Sequence, residues 1–76
     1  MTALELILDA ADEYNRDGWI DQARKAKLTA RLPALTWQQI TAATRRVAGI
    51  LAADNSYTTF CKAYDEAQDV IERGRS

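Results

Sequence analysis

Leu35-Thr36-Trp37-Gln38-Gln39-Ile40-Thr41-Ala42-Ala43-Thr44-Arg45-Arg46-Val47-Ala48-Gly49-Ile50-Leu51 decides the fold class of this 76-residue chain. Thr36 and Gln39 stand three residues apart at its head, the spacing of a capping box. There a hydroxyl accepts from an orphan amide and a glutamine side chain reaches back. Ile40, Ala43, Thr44, Val47, Ile50 and Leu51 then recur at intervals of three and four, the period of one buried helical face, and Trp37 sits at the edge of that face. The pattern predicts a helix from about Trp37 to Ala53. Ala42, Gly49 and Ala53 line part of the opposite side, where small residues would permit close approach of another helix, of this chain or of a partner.

Working outward, Leu32-Pro33-Ala34-Leu35 is a break, because proline lacks a backbone donor and restricts the residue before it. Upstream, a helix is expected from about Trp19 to Arg31. It has Ile20, Ala23, Ala26 and Ala30 on one side and Leu28 and Leu32 on another. Asn15-Arg16-Asp17-Gly18 is a turn signal. Before it, residues 3 to 15 carry Leu4, Ile7, Leu8, Ala11 and Tyr14 on one stripe, with Leu6 outside it as an exposed leucine. Downstream, Asp54-Asn55-Ser56 is a turn, and Ser56 is the expected N-cap of a helix running to about Arg73. Its stripe reads Tyr57, Phe60, Tyr64, Ala67 and Ile71. Lys62 and Glu66, and Asp69 and Arg73, are spaced for ion pairs, and Gly74 is a stop signal. The expectation is an all-α fold, a compact bundle or orthogonal array of about four short helices, with residues 1–76 as a single domain.

Composition narrows the function classes. A chain this short buries only about 60% of its unfolded surface, which leaves little room for a deep active-site cavity. It has no histidine, so the usual general base and commonest metal ligand are missing. Its serines, Ser56 and Ser76, read as a cap and a terminal residue. Cys61, the single cysteine, reads as a half-buried structural thiol and fits a reducing compartment. The expectation is a protein that is not an enzyme and needs no cofactor or metal. Met1 to Ala11 lacks the basic start of a secretory signal, and no apolar run is long enough to span a bilayer, so a cytoplasmic location is expected.

Two further motifs are incomplete in their chemistry. Glu13, Asn15, Asp17, Gly18, Ile20 and Asp21 fall at calcium-loop positions, but Glu13 replaces the first aspartate and Arg24 occupies the place of the closing bidentate glutamate. Leu35 to Thr44 resembles the first helix of a DNA-reading helix-turn-helix, yet Arg45, Arg46 and Val47 continue the helical period where a turn should come.

The charge pattern is acidic, basic, acidic. Residues 1–21 hold six acids and one base, residues 22–53 six bases and no acid, and residues 54–76 five acids and three bases, for a net charge of −1. In the simplest reading the acidic ends neutralise the basic middle within the fold. Two functional readings follow. In the first, the chain is a non-catalytic protein–protein interaction module, a regulator or inhibitor that occupies a partner's surface, and its size and character suit a phage or mobile element. An acidic helix face (Glu5, Asp9, Asp12, Glu13) or the tryptophans Trp19 and Trp37 would meet the partner. In the second, the basic middle (Arg24, Lys27, Arg31, Arg45, Arg46) binds nucleic acid. A homodimer is compatible with either.

Overall fold

The computed structural model describes residues 2–74, which form four helices: α1 (Ala3–Asp17), α2 (Gln22–Arg31), α3 (Trp37–Ala53) and α4 (Tyr57–Gly74). The Cα radius of gyration is 11.4 Å, the value of about 11 Å that a compact chain of this length should have. This is a small all-α bundle, as the sequence predicts.

Each helix start carries a side-chain cap, because the first amides of a helix have no partner within it. Thr2 accepts from the Glu5 amide and Asp21 from the Ala23 amide, both at 3.2 Å. At α3 both halves of the Thr36–Gln39 capping box are formed. At α4 the Ser56 hydroxyl accepts from the Thr59 amide at 3.1 Å. Between α1 and α2, Gly18 is left-handed at φ 81°, and its amide donates to the Tyr14 carbonyl at 2.9 Å. Glycine ends the helix there without the steric cost a Cβ brings at positive φ.

α3 lies at the centre, packed against α4 and α1, and α1 also touches α2 and α4. The core comprises Leu6, Ile7, Ala10 and Ala11 of α1, Ile20, Leu28, Leu32, then Ile40, Ala43, Val47 and Ala48 of α3, and Ala63, Ala67, Val70 and Ile71 of α4. α2 contributes a single buried side chain, Leu28.

Four sequence expectations are corrected. The second helix begins at Gln22, because Asp21 caps it, so Trp19 lies in the preceding turn. Its Ala23, Ala26 and Ala30 side is exposed, and Leu28 marks the buried side. Leu6 is buried, because α1 has neighbours on three sides and buries a wider arc than one stripe. Ala42, Gly49 and Ala53 are exposed, with nothing within 4 Å of a Cβ built on Gly49, so the close approach they permit is left to a partner rather than used by the described helices.

The fourth correction is the largest. α4 buries Thr59, Ala63, Ala67, Val70, Ile71 and Gly74, while Tyr57 is 81%, Phe60 49% and Tyr64 38% exposed. The two stripes share Ala67 and Ile71 and diverge towards the N-terminus of the helix. Small residues at positions 63, 67 and 74 let α4 lie close to its neighbours, which leaves no space beneath it for three aromatic rings.

The α3–α4 junction carries a pH-sensitive contact. Asp54 Oδ1 accepts from the Thr59 hydroxyl at 2.6 Å and from the Ser56 amide at 2.8 Å. These bonds, that from Thr59 foremost, hold its carboxyl at about 2, below the ordinary 3.8. Because the folded-state value is depressed, the stabilisation is present well above pH 3.8 and is lost progressively as the pH falls through 3.8 towards about 2. Asp54→Asn should therefore flatten the fall of thermal midpoint across that interval relative to the parent chain. Parallel profiles for the two proteins would show that the junction does not feel this carboxylate.

Candidate functional site

Two surfaces stand out from the rest of the molecule. The first is the exposed face of α4. Tyr57, Phe60, Cys61, Tyr64 and Asp65 line a shallow depression of about 230 Å³. Phe60 and Tyr64 lie with ring centroids 6.4 Å apart at a 38° tilt, and Gln68 donates to the Tyr64 hydroxyl at 3.3 Å. Cys61 is a free, half-buried thiol in the middle of the row, and a side-chain hydrogen bond with it raises the Tyr57 phenol above its ordinary 10.0.

The second surface is built where the α1–α2 turn meets α3. Trp37, Thr41 and Arg45 are spaced by four and share one face of α3. Tyr14 comes from the last turn of α1, Trp19 from the turn after it and Lys25 from α2, and together they enclose about 260 Å³. Lys25 Nζ lies 4.9 Å from the Trp37 ring centroid, and the Arg45 guanidinium 5.7 Å from that of Tyr14, both within cation–π range. The Thr41 hydroxyl oxygen is buried here without a hydrogen-bond partner. Trp19 is 61% exposed. The turn that presents it is fixed on both sides. The Asp21 amide donates to Glu13 Oε1 at 2.7 Å, and Asn15 Nδ2 donates to the Ala48 carbonyl at 2.9 Å.

The expected site residues are distributed between internal and external roles. On the acidic face of α1, Asp9 and Glu13 both pair with Arg24, at 3.7 and 3.6 Å, and Asp12 pairs with Arg16 at 3.4 Å. Glu5 Oε1 accepts from the Thr2 hydroxyl. Each of these carboxylates thus has a partner within the chain, although Glu5, Asp9 and Asp12 keep much of their surface in solvent. Glu13 serves the α1–α2 turn and Arg24, and the described residues hold no group of three or more metal-ligating side chains. Trp19 and Trp37 do come together at one depression.

The basic set does not form one patch. Arg24 is held by α1 and Arg46 by Glu66 of α4 at 3.0 Å, while Arg45 is exposed and lies over Tyr14. Lys27 and Arg31 are exposed and make no ion pair among the described residues. On α4, Asp69 pairs with Arg73 at 3.2 Å as the spacing predicts, but Glu66 turns to Arg46 and Arg73 and leaves Lys62. Surface pairs of this kind contribute about 0–1 kcal/mol each. They orient the charges more than they stabilise the fold.

Sequence reasoning missed Tyr14, Lys25 and Thr41 at the second surface and the whole aromatic row at the first. The Trp37–Thr41–Arg45 spacing is legible as a helical face that carries both an aromatic ring and a cation. Comparison with family models, curated proteins and solved structures gives no match for this chain. Among the described residues, no helix is long and apolar enough to cross a membrane.

Proposed function

We propose that the protein is a small non-catalytic interaction module, a regulator or inhibitor that acts sterically, with the aromatic row of α4 as its docking face. The observation that carries this reading is the exposure of Tyr57, Phe60 and Tyr64 on one face of one helix. A contiguous exposed apolar patch marks an interaction surface more often than chance burial would produce one. Aromatic residues dominate binding hot spots, because each removes a large rigid area from water at little entropic cost. Presented at i, i+3 and i+7 they suit the mode in which one helix lies in a partner's groove.

The chemistry of the partner follows from the rim. Asp65 borders the aromatic depression, and Asp65 and Glu72 make no ion pair among the described residues of α4. An apolar groove edged by lysine or arginine would complement this face. A second copy would set two acid-bearing helices against each other, so this face favours a different protein.

The test is differential capture from a lysate by the immobilised parent chain, Tyr57→Ser/Phe60→Ser and Arg31→Ser. A partner kept by the parent and by Arg31→Ser should be lost with the double variant, because truncating a hot spot weakens binding by about 2 kcal/mol or more, roughly 30-fold. Undiminished retention by the double variant would remove the α4 face from the account.

A further inference from the structure

We propose that the surface formed by Tyr14, Trp19, Lys25, Trp37, Thr41 and Arg45 is a binding site for a short stretch of single-stranded nucleic acid, independent of the α4 face. Among these lining residues, and with Gly18 and Ile20 that complete the depression, there is no carboxylate. That absence is local, since the chain as a whole carries one more acid than base. The two cations here are also spared the ion pairs that engage Arg24 and Arg46. Lys25 and Arg45 rest on aromatic rings, which hold their positions without neutralising them. An anionic ligand is the complement of such a site.

Three features select a nucleic-acid strand over other anions. The Trp19 indole is exposed beside the two cations, and a nucleobase is the partner that stacks on an open ring while its phosphate reaches a neighbouring positive charge. The Thr41 hydroxyl lines the depression unpartnered and almost fully covered, so a turn about its χ1 is needed before it can donate to a phosphate or accept from a base edge. The depression also continues past Lys25 and Trp37 into an open trough of about 650 Å³ along α2, bounded by Gln22, Ala26, Thr29 and Ala30. An open surface that runs on beside α2 suits a strand of several nucleotides more than a free mononucleotide. A carboxylate-rich peptide would satisfy the cations but would leave the Trp19 ring with no counterpart.

The site holds two cations, so binding should be modest and only mildly sensitive to salt. The slope of log K against log salt should be about −1.4, from about 0.7 for each of two phosphates. The experiment is fluorescence anisotropy of a labelled oligothymidylate of about ten nucleotides, a length within the range that one small domain covers. It is titrated with the parent chain, Trp19→Ala, Lys25→Gln/Arg45→Gln and the trough-external Arg31→Gln. Thermal unfolding of each variant confirms that it is folded.

The expected result is saturable binding that quenches tryptophan fluorescence. Trp19→Ala and the double variant should each weaken it about tenfold or more, while Arg31→Gln leaves it near parental. Three results overturn the proposal: no binding at low salt, binding unchanged by Trp19→Ala, or equal competition by an oligoglutamate peptide of the same charge. The last would assign the trough to acidic peptides. Loss of oligonucleotide binding leaves partner capture through α4 untouched, so the two surfaces are tested separately.

Discussion

Leu28→Ala should lower the unfolding free energy by about 2–5 kcal/mol, a large share of what a chain of this size has. Leu28 is the one side chain that α2 buries, and it is fully enclosed. Truncating a buried leucine costs about 2–5 kcal/mol, through lost transfer energy and the cavity left behind. A chain of this size has roughly 3–5 kcal/mol of stability from its core. Set against each other, the two ranges mean that the substitution removes from about two fifths to all of the margin. α2 packs on α1 and only lightly on α3, so few other contacts would retain it. Urea titration followed by circular dichroism measures the effect. Leu28→Met, which conserves volume, should cost less than about 1.5 kcal/mol. A loss below about 1 kcal/mol for Leu28→Ala would mean that α2 is not anchored at this position.

Gly74→Val should be the next most damaging change. A Cβ at Gly74 would lie 2.9 Å from both Cβ and Cδ2 of Leu32 and 3.2 Å from Cδ1 of Leu35. The first two distances are shorter than packed carbon atoms tolerate. The Ala34 amide donates to the Gly74 carbonyl at 3.2 Å, which joins the end of α4 to the α2–α3 connection. Valine would have to part that junction or displace Leu32, itself fully buried. Overpacking of this kind costs about 1–3 kcal/mol. Gly74→Ala should fall between the parent and valine in thermal midpoint. Three equal midpoints would mean that α4 can lift away from Leu32 without loss. Gly74 is thus a close-packing residue as well as the helix stop that its sequence position suggests.

The sequence contains the fold in its local signals. The Thr36–Gln39 box, the Ser56 cap, Gly18 and Pro33 each act within a few residues, and so the number and approximate bounds of the helices could be read from them. The buried face of α3 was legible for the same reason, since its large aliphatic residues all lie on one side. α4 defeated the same method because hydrophobic periodicity weights side chains by size. Tyr57, Phe60 and Tyr64 dominate that pattern, whereas alanines and a threonine fit against the neighbouring helices. The exposed row is where local apolar pattern and tertiary packing conflict, and such conflicts concentrate at functional surfaces.

The binding surfaces were only partly legible. Trp19 and Trp37 were identified, but Tyr14 and Lys25 join them through tertiary packing. Arg24 and Arg46 looked equivalent to Arg45 until each met its carboxylate. Pairing of that kind depends on which helices touch, and no spacing along the chain encodes it.

With Tyr57, Phe60 and Tyr64 exposed on α4, outside the buried cluster, truncating this row should leave the fold intact. The most direct measurement is the unfolding free energy of Tyr57→Ser/Phe60→Ser by urea titration. The expected stability is within about 1 kcal/mol of the parent, as for substitutions away from packed features. A loss of about 3 kcal/mol or more, the cost of truncating a buried phenylalanine, would return the row to the core and contradict the account.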